Sequence, residues 1–332
     1  MKFATRANGH PDGELLVISR DLTRASVARA APTLQAALDR WDELEPQLAD
    51  EYRRLNVGAE AGFVLDPSPL LAVMPRAYQF LDASAFLAHN HILADAWGYE
   101  RRTAADPPLM YQGLSHRFHG PRDAVSFRDE QDDIDFEAEF GVITDVVPRG
   151  ASAQAALRHI KLLLVLNDWS LRAFGPAEMK GGFGFLHAKP PSSLSPFAVT
   201  PDELGDAWCD GRVRLRLTIH RNAQMFGTPD GGQMTYDFGR LVAHACKTRD
   251  LCAGTVIGSG TVSNYDASNV GSGCIAERRA LEKSADQDSM TAYLANGETV
   301  RLEAFDNAGV SLFGAIDQRV RVDPMQITPE TA

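Results

Sequence analysis

The sequence predicts a mainly β protein with some helices, arranged as a small N-terminal domain followed by a larger one. Many short apolar or alternating segments are separated by turn residues, as in mainly β domains. Few stretches carry the 3.6-residue spacing of an amphipathic helix. Pro67, Pro69 and Pro75 mark a linker. We therefore expect a first domain over residues 1–75, a second over residues 76–322 and a tail over residues 323–332.

The first domain is predicted to combine a strand with helices. Residues 14–19 form an apolar run typical of a strand. From Thr33 to Leu55 the apolar residues recur at helical spacing. Pro46 interrupts this pattern and cannot donate a helical hydrogen bond, so we expect either two helices or one kinked helix.

The second domain is predicted to begin with a helix over residues 83–97 that Asp82 caps. Residues 135–144 alternate polar and apolar, which predicts a half-exposed strand. Residues 174–200 are rich in Gly, Pro and Ser and are a candidate functional loop. The other predicted elements are helices over residues 153–163 and 238–246, strands over residues 163–167, 213–220 and 255–263, and a hairpin with a type I′ turn at Asn296-Gly297.

Composition and charge exclude several classes of protein. The chain has 33 Lys and Arg against 44 Asp and Glu, a net charge of −11, and carries no basic run. This argues against binding nucleic acid or an anionic membrane, because both require clustered cations. We find no apolar stretch near 18 residues and no signal-peptide pattern. The four cysteines form no C-x-x-C pair and are expected to be free thiols. We therefore expect a cytoplasmic protein.

Common catalytic motifs are missing from the sequence. There is no G-x-S-x-G for a nucleophilic serine, no H-E-x-x-H for zinc and no G-x-x-x-x-G-K-[ST] phosphate loop. Gly258-Ser259-Gly260 lacks the third glycine of a dinucleotide fingerprint. Serine hydrolase, zinc protease, ATPase and Rossmann functions are therefore disfavoured.

Acidic residues offer a different chemistry. Glu137 and Glu139 are two apart on a predicted strand, so both point to one face together with Asp135. Such a pair is usually a solvated strand face. Like charges this close repel each other, however, and a hard cation would relieve the repulsion.

Two further sites are compatible with a metal centre. Asp168 follows the apolar run of residues 162–166, so it is either part of a strand-ending turn or a carboxylate at the rim of a core strand. Asp82 and His89 are seven apart, which on a helix places them on one face about 10 Å apart. Their alternative interpretation is a helix cap and a surface histidine.

The order of these residues along the chain is more specific than any one of them. It comprises D-x6-H at Asp82 and His89, E-x-E at Glu137 and Glu139, N-D-W-S-x-R at residues 167–172, Lys189, S-G-T at residues 259–261, and Glu277. From about residue 75 to 320 this ordered set resembles the fumarylacetoacetate hydrolase family. The resemblance implies a mixed β-sandwich roll preceded by a small SH3-like domain, and a homodimer.

The resemblance also implies a metal centre with a catalytic pair. In this family four carboxylates hold one divalent cation, Mg²⁺ or Ca²⁺, and Mn²⁺ is a further candidate; oxygen ligands suit such hard cations. The matching ligands are Asp82, Glu137, Glu139 and Asp168. The implied catalytic residues are His89, Glu277, Arg172 and Lys189, and Thr261 is the implied active-site threonine.

Some positions depart from the pattern of the eukaryotic fumarylacetoacetases. Ala173 and Gly175 replace an aspartate and a substrate-contacting glutamine. Ser84 and Phe118 replace two substrate-contacting tyrosines. We take Tyr111 and Gln112 as candidate substitutes for the lost substrate contacts.

The resemblance implies hydrolysis of a C–C bond in a β-diketo acid, with fumarylacetoacetate of tyrosine catabolism as the first candidate substrate. The alternatives are a fumarylpyruvate or acylpyruvate hydrolase, and a decarboxylase or hydratase of 2-oxo diacids. A non-catalytic metal-stabilised binding protein is a further alternative. The pair of His89 and Glu277 favours hydrolysis, because it supplies a base for water.

Overall fold

The computed structural model describes residues 1–323, so residues 324–332 of the predicted tail lie outside the described residues. The strands are β1 (Lys2–Arg6), β2 (Glu14–Ile18), β3 (Arg24–Val27), β4 (Phe63–Val64), β5 (Phe80–Ser84), β6 (Leu109–Gln112), β7 (Ala124–Phe127), β8 (Ile134–Asp135), β9 (Ala138–Thr144), β10 (Ile160–Asn167), β11 (Ser170–Leu171), β12 (Ser193–Leu194), β13 (Ala198–Val199), β14 (Trp208–Cys209), β15 (Arg212–Val213), β16 (Leu217–Arg221), β17 (Gln224–Gly227), β18 (Thr255–Gly258), β19 (Thr299–Ala304) and β20 (Ile316–Val322).

Helices are fewer and mostly short. The α-helices are α1 (Leu34–Leu38), α2 (Trp41–Asn56), α3 (Leu87–Trp97), α4 (Ala153–Leu157), α5 (Gly175–Gly181), α6 (Phe238–Ala245), α7 (Ala267–Val270) and α8 (Ile275–Ser284). Short 3₁₀ helices cover Glu130–Asp132, Pro201–Ala207 and Gly231–Gln233. The prediction of a mainly β protein with some helices is confirmed. Within residues 1–323, no helix combines the length and the apolar composition that crossing a membrane requires.

Two large sheets organise the molecule. The first has eleven strands in the order β4-β3-β2-β1-β13-β10-β9-β18-β5-β6, with β12 also pairing with β10. The second has the order β17-β16-β19-β20-β7. Both are mixed, because β18 runs parallel to β5 and β20 runs parallel to β7.

The main core lies between these two sheets. Phe140 and Val165 of the first sheet share one buried apolar cluster with Ile219 and Leu302 of the second. Helices α1 and α2 cover the other face of the first sheet, where Leu164 belongs to the same cluster as the α2 residues. The central strands β9 and β10 are therefore buried on both faces. The expected half-exposed strand over residues 135–144 is wrong for this reason.

The N-terminal strands join the same sheet as the larger part of the chain. Strand β1 pairs with β13, so the first sheet continues across the predicted linker. The β2 strand agrees with the predicted strand over residues 14–19. The division near residue 75 and the SH3-like character of the first region stay predictions.

The predicted helix over residues 83–97 starts too early. Asp82 lies inside strand β5, and α3 begins only at Leu87 with Phe86 at its N-cap. Residues 80–84 are extended because they pair with β18 on one side and with β6 on the other. Asp82 is therefore not a helix cap, and the predicted helical face shared by Asp82 and His89 does not exist.

The break between α1 and α2 also differs from the expectation. Two helices are present, but they separate at Asp39 and Arg40, and Pro46 lies inside α2. A proline there removes one backbone donor, which shows that packing of the buried α2 face tolerates the loss.

Several element boundaries need correction. The predicted helix over residues 153–163 ends at Leu157, the strand over 213–220 is divided into β15 and β16, and the strand over 255–263 ends at Gly258. At Asn296-Gly297 only the glycine has a positive φ, +88°, so the turn is not type I′. Strand β19 pairs with β16 and β20 rather than across that turn.

Candidate metal centre

Four buried carboxylates meet where neighbouring strands of the first sheet end. Asp82 lies on β5 and Glu139 on β9, while Glu137 directly precedes β9 and Asp168 directly follows β10. One oxygen from each of the four lies within 4.8 Å of the others. The strand order β10-β9-β18-β5 explains the cluster, because it brings together residues that are up to 86 positions apart in sequence (168 − 82 = 86).

Gly258 makes room for this cluster and was not assigned a role from the sequence. It lies on β18, between Asp82 on β5 and Gly141 on β9 in the sheet register. A Cβ at position 258 would approach oxygens of Asp82 and Glu139 more closely than the 3.0 Å that real Cβ atoms respect. The absence of a side chain on β18 thus lets the two carboxylates face each other.

Two predicted cations neutralise one side of the cluster. The Lys189 Nζ donates to Glu137 Oε1 at 2.9 Å and to Asp168 Oδ2 at 2.6 Å. The Arg172 Nη1 lies 2.8 Å from Glu137 Oε1. Burial by itself would raise the pKa of Glu137, but Lys189 and Arg172 outweigh burial and hold that pKa well below its ordinary value.

Hydroxyl groups fix the same two carboxylates. The Thr261 hydroxyl donates to Glu137 Oε2 at 2.9 Å. The Ser192 hydroxyl donates to Asp168 Oδ1, and the Tyr111 hydroxyl donates to Asp168 Oδ2, both at 2.6 Å. Ser192 is a further site residue that the sequence analysis missed, and its position in a Gly-, Pro- and Ser-rich loop was the available signal.

Within residues 1–323, no cation pairs with the two carboxylates on the other side of the cluster, Asp82 and Glu139. Burial, followed by the neighbouring carboxylates, raises the pKa of both Asp82 and Glu139. Asp82 Oδ1 and Glu139 Oε1 are buried and have no hydrogen-bond partner among the described residues. Unpartnered buried carboxylate oxygens are costly, and a cation bound between them would remove the cost. The all-oxygen donor set therefore fits a hard divalent cation.

His89 and Glu277 form a pair beside the carboxylates. The His89 Nδ1 lies 2.7 Å from Glu277 Oε2, and Glu277 is fully buried. His89 is in the first turn of α3 and Glu277 in the first turn of α8, and these two helices pack together. Glu137 forms a backbone bridge with Cys274, the N-cap of α8, so the pair lies near the carboxylate cluster.

Asp135 has a different position from the other acidic residues of its segment. Its Oδ1 accepts the backbone N–H of Ile275, and its Oδ2 accepts that of Ala276 and the Arg172 Nε. Asp135 thus joins the start of α8, which carries Glu277, to Arg172. A carboxylate at a helix N-terminus is favourable because free N–H groups point toward it.

The two candidate substitutes for lost substrate contacts face in different directions. Tyr111 is the register partner of Asp82 on β6, so its side chain reaches the cluster. Gln112 is the partner of Leu81 and therefore points to the opposite face of the sheet. The structure brings every other predicted site residue to the cluster or to the adjoining histidine pair, but it does not bring Gln112 there.

Comparisons with known structures agree on the fold. A Mycobacterium smegmatis protein provisionally named HpcE is 20% identical, covers 97% of this chain and 99% of its own, and has a TM-score of 0.68. The 5-carboxymethyl-2-hydroxymuconate delta-isomerase of the same organism is 17% identical, with a TM-score of 0.61. The match covers 98% of this chain and 100% of the isomerase. Fumarylpyruvate hydrolase from Pseudomonas aeruginosa, in complex with Mn²⁺ and pyruvate, is 11% identical, with a TM-score of 0.54. The match covers 75% of this chain and 92% of that hydrolase.

Family models match almost the whole chain. Residues 1–76 match the model for fumarylacetoacetase N-terminal domain 2. None of the curated proteins compared with the sequence matches it. Residues 80–321 match the model for the fumarylacetoacetate hydrolase C-terminal domain, and the chain therefore belongs to the fumarylacetoacetate hydrolase family.

Proposed function

We propose that this protein is a divalent-metal-dependent hydrolase that cleaves a C–C bond in a β-diketo acid. One observation carries the proposal: a buried cluster of four carboxylates lies beside a histidine that is hydrogen-bonded to a buried glutamate. The carboxylates suit a hard cation, and the histidine pair suits the activation of water.

The carboxylates would hold the cation. In our proposal Asp82, Glu137, Glu139 and Asp168 are its ligands, and Mg²⁺, Ca²⁺ and Mn²⁺ all suit these oxygens. When bound, the cation supplies Lewis acidity toward the diketo oxygens. The carboxylates of Asp82 and Glu139 most require the cation. Asp82 Oδ1 and Glu139 Oε1 are buried and have no hydrogen-bond partner among the described residues.

The histidine pair would supply the base. In the proposed tautomer His89 Nδ1–H donates a hydrogen bond to Glu277 Oε2, which leaves Nε2 unprotonated and able to take a proton from water. The water oxygen then bonds to the carbonyl carbon, and the C–C bond to the adjacent carbon breaks. The electron pair of that bond moves to the departing carbon, which takes up a proton. The products are a carboxylic acid and a shorter keto acid.

Lys189 and Arg172 are proposed to stabilise the negative charge that develops on the substrate oxygens. Both cations also balance the carboxylates of Glu137 and Asp168, so their loss would affect charge in the resting site as well. Contacts of the substrate with Tyr111 and Thr261 stay predictions, whereas Gln112 points away from the cluster.

Two observations bear on the substrate and the reaction. The family and the relative named as a fumarylpyruvate hydrolase support substrates such as fumarylacetoacetate, of tyrosine catabolism, and fumarylpyruvate. Other structural relatives are named as isomerases, so isomerisation is the second candidate. Isomerisation also uses a base but does not consume water, so product analysis distinguishes it from the hydrolysis that we propose.

A spectrophotometric assay tests this proposal. The diketo absorbance of fumarylacetoacetate and of fumarylpyruvate should fall in the presence of Mg²⁺ or Mn²⁺ and remain constant in excess EDTA. His89→Ala should retain metal binding by calorimetry and lose at least a hundredfold in turnover, because general-base catalysis contributes about 10²–10⁴-fold. Full turnover in EDTA, or by His89→Ala, would contradict the proposal.

A further inference from the structure

A largely apolar cavity of about 330 Å³ adjoins the two cations of the carboxylate cluster, and the hydrolysis proposed above assigns no role to its apolar walls. Its inner end is formed by Lys189 and Arg172, both of which contact Glu137. Its walls are mainly apolar side chains: Leu93, Trp97, Leu171, Pro176, Met179 and Phe185. A group bound at the carboxylate cluster can therefore extend directly into this cavity.

Helix α3 provides a continuous path from the catalytic pair into the cavity. His89, Leu93 and Trp97 are spaced four residues apart and so lie on one face of α3. Successive residues on this face are about 6 Å apart along the helix axis. A substrate arm that leaves the reaction centre along α3 meets Leu93 first and Trp97 second.

The cavity offers little to an ionised group. Among its described lining residues, the charged ones are Lys189 and Arg172, and both are ion-paired with buried carboxylates. The other polar side chains of the lining are the hydroxyls of Tyr99, Ser170 and Tyr293, which are neutral. At the outer rim the Lys283 Nζ lies 3.6 Å from the centre of the Trp97 ring. An ionised carboxylate within the apolar walls would lose its hydration without gaining a free cation.

We propose that the acyl arm of the substrate is apolar, such as a phenyl ring or a branched alkyl chain, rather than an ionised fumaryl group. The size of the cavity is sufficient, since an apolar cavity of about 150 Å³ binds benzene. This inference rests on the proposed function and narrows its substrate class to acylpyruvates or acylacetoacetates with an apolar acyl group.

Two substrates that share the pyruvyl group test the inference. Benzoylpyruvate carries an apolar ring, and fumarylpyruvate carries an ionised carboxylate in the same place. With Mn²⁺ bound, kcat/KM for benzoylpyruvate should exceed that for fumarylpyruvate about tenfold or more. Equal values, or a preference for fumarylpyruvate, would overturn the inference while leaving the proposed hydrolysis intact.

Binding separates failure of the inference from failure of the proposed function. Both compounds are titrated calorimetrically into the Mn²⁺-loaded His89→Ala variant, in which turnover is suppressed. Absence of turnover in the unmodified enzyme for both compounds would refute the hydrolase proposal alone. Tighter binding of benzoylpyruvate would then still support the apolar arm, and equal or weaker binding would overturn it.

Two matched substitutions that introduce a charge test whether the preference for an apolar acyl group arises in this cavity. Met179 and Met225 are each 58% exposed, but only Met179 is among the described lining residues of the cavity. Met179→Asp should lower kcat/KM for benzoylpyruvate about tenfold, whereas Met225→Asp should leave it unchanged. An equal effect of both substitutions would overturn the assignment.

Lys283, at the outer rim of the cavity, tests whether a substrate with an ionised acyl arm binds there. If a fumaryl carboxylate reached the rim, Lys283→Gln would selectively weaken binding of fumarylpyruvate. We expect Lys283→Gln to change the affinity for both compounds by less than about twofold. A selective loss of fumarylpyruvate binding would overturn the inference.

Discussion

Glu137 and Glu139 show how much the environment of a single residue matters. They are two positions apart on adjacent parts of one segment, and both are buried. Glu137 contacts Lys189 and Arg172, which lower its pKa, whereas burial and neighbouring carboxylates raise the pKa of Glu139. The E-x-E pattern indicates a shared face, but the distribution of cations around it depends on residues distant in sequence.

Asp168→Asn should weaken metal binding. An amide nitrogen would replace one carboxylate oxygen among donors that already point at Asp168, namely the Lys189 Nζ, the Tyr111 hydroxyl and the Ser192 hydroxyl. We expect the Mn²⁺ affinity measured by calorimetry to fall about tenfold or more. The exposed Asp317, which pairs with Arg301, provides the control Asp317→Asn. Equal Mn²⁺ affinity in the unmodified protein and Asp168→Asn would argue against a ligand role.

At the scale of elements, strand β18 acts as a spacer within the metal centre. It separates β5 from β9 in the sheet, and Gly258 at its end leaves space between Asp82 and Glu139. The glycine is required by the close approach of the carboxylates and not by its backbone conformation, since its φ is not positive.

Gly258→Ala should therefore disturb the site more than the fold. The added methyl group would force the Asp82 and Glu139 carboxylates apart, and we expect about a tenfold or greater loss of Mn²⁺ affinity. Gly181→Ala is the control, because no atom lies within 4 Å of the position that its methyl group would take and its φ is not positive. Calorimetry and thermal unfolding of both variants make the comparison. The spacer role would be contradicted if Gly258→Ala kept its Mn²⁺ affinity, or if Gly181→Ala lost as much Mn²⁺ affinity as Gly258→Ala.

Helix α8 depends on Asp135 for its position. Asp135→Asn would direct an amide N–H₂ toward either the backbone donors at the start of α8 or the Arg172 guanidinium. We expect a loss of about 2–4 kcal/mol in the free energy of unfolding, measured in urea, because buried donors lose their acceptor. The exposed Asp95→Asn, which affects a surface pair with Arg101, should change it by less than about 1 kcal/mol. A similar small change for Asp135→Asn would refute the anchoring role.

At the scale of the whole molecule, Glu203 links the two regions of the chain. Its side chain is 4% exposed and lies 3.1 Å from the guanidinium of Arg20, which follows β2. Burial alone would raise the pKa of Glu203, but Arg20, the N-terminal amine and Tyr52 together outweigh burial and lower the pKa to about 2. A lowered pKa stabilises the fold above the ordinary value of 4.5, and the contribution is lost as the pH falls toward about 2.

Glu203→Gln should consequently destabilise the protein in a pH-dependent way. Arg20 is largely exposed, so solvent screening limits the expected loss to about 1 kcal/mol at pH 7. The difference from the unmodified protein should decrease as the pH falls from 4.5 toward about 2, because the unfolded state then takes up a proton while Glu203 in the folded state stays ionised, which favours unfolding. Glu43→Gln, at an exposed pair with Arg40, is the control. A difference that stays constant from pH 7 to pH 3 in urea unfolding would contradict this account.

Assembly, location and the resident cation stay predictions at this scale. A homodimer is expected from the family resemblance, and light scattering coupled to gel filtration would measure it. The cytoplasmic location is expected from the cysteine pattern and composition, and the choice among Mg²⁺, Ca²⁺ and Mn²⁺ requires metal analysis of the purified protein.

The fold class could be predicted from the sequence, because residue types and spacing indicate strands and helices locally. The family and the candidate site residues came from the ordered set between Asp82 and Glu277, which resembles the fumarylacetoacetate hydrolase family, and the family model confirms that family. Local patterns also located β2 and α6 to within about one residue.

The arrangement of these residues around one another depends on the fold and not on local sequence. Residues 82–84 follow strand pairing and not the helical pattern that begins beside them, since β5 is paired on both sides. The position of Asp135 under α8, the gap at Gly258 and the direction of Gln112 likewise depend on contacts between distant segments. Local sequence encodes propensity and polarity, whereas the pairing partner of each strand sets which side chains meet.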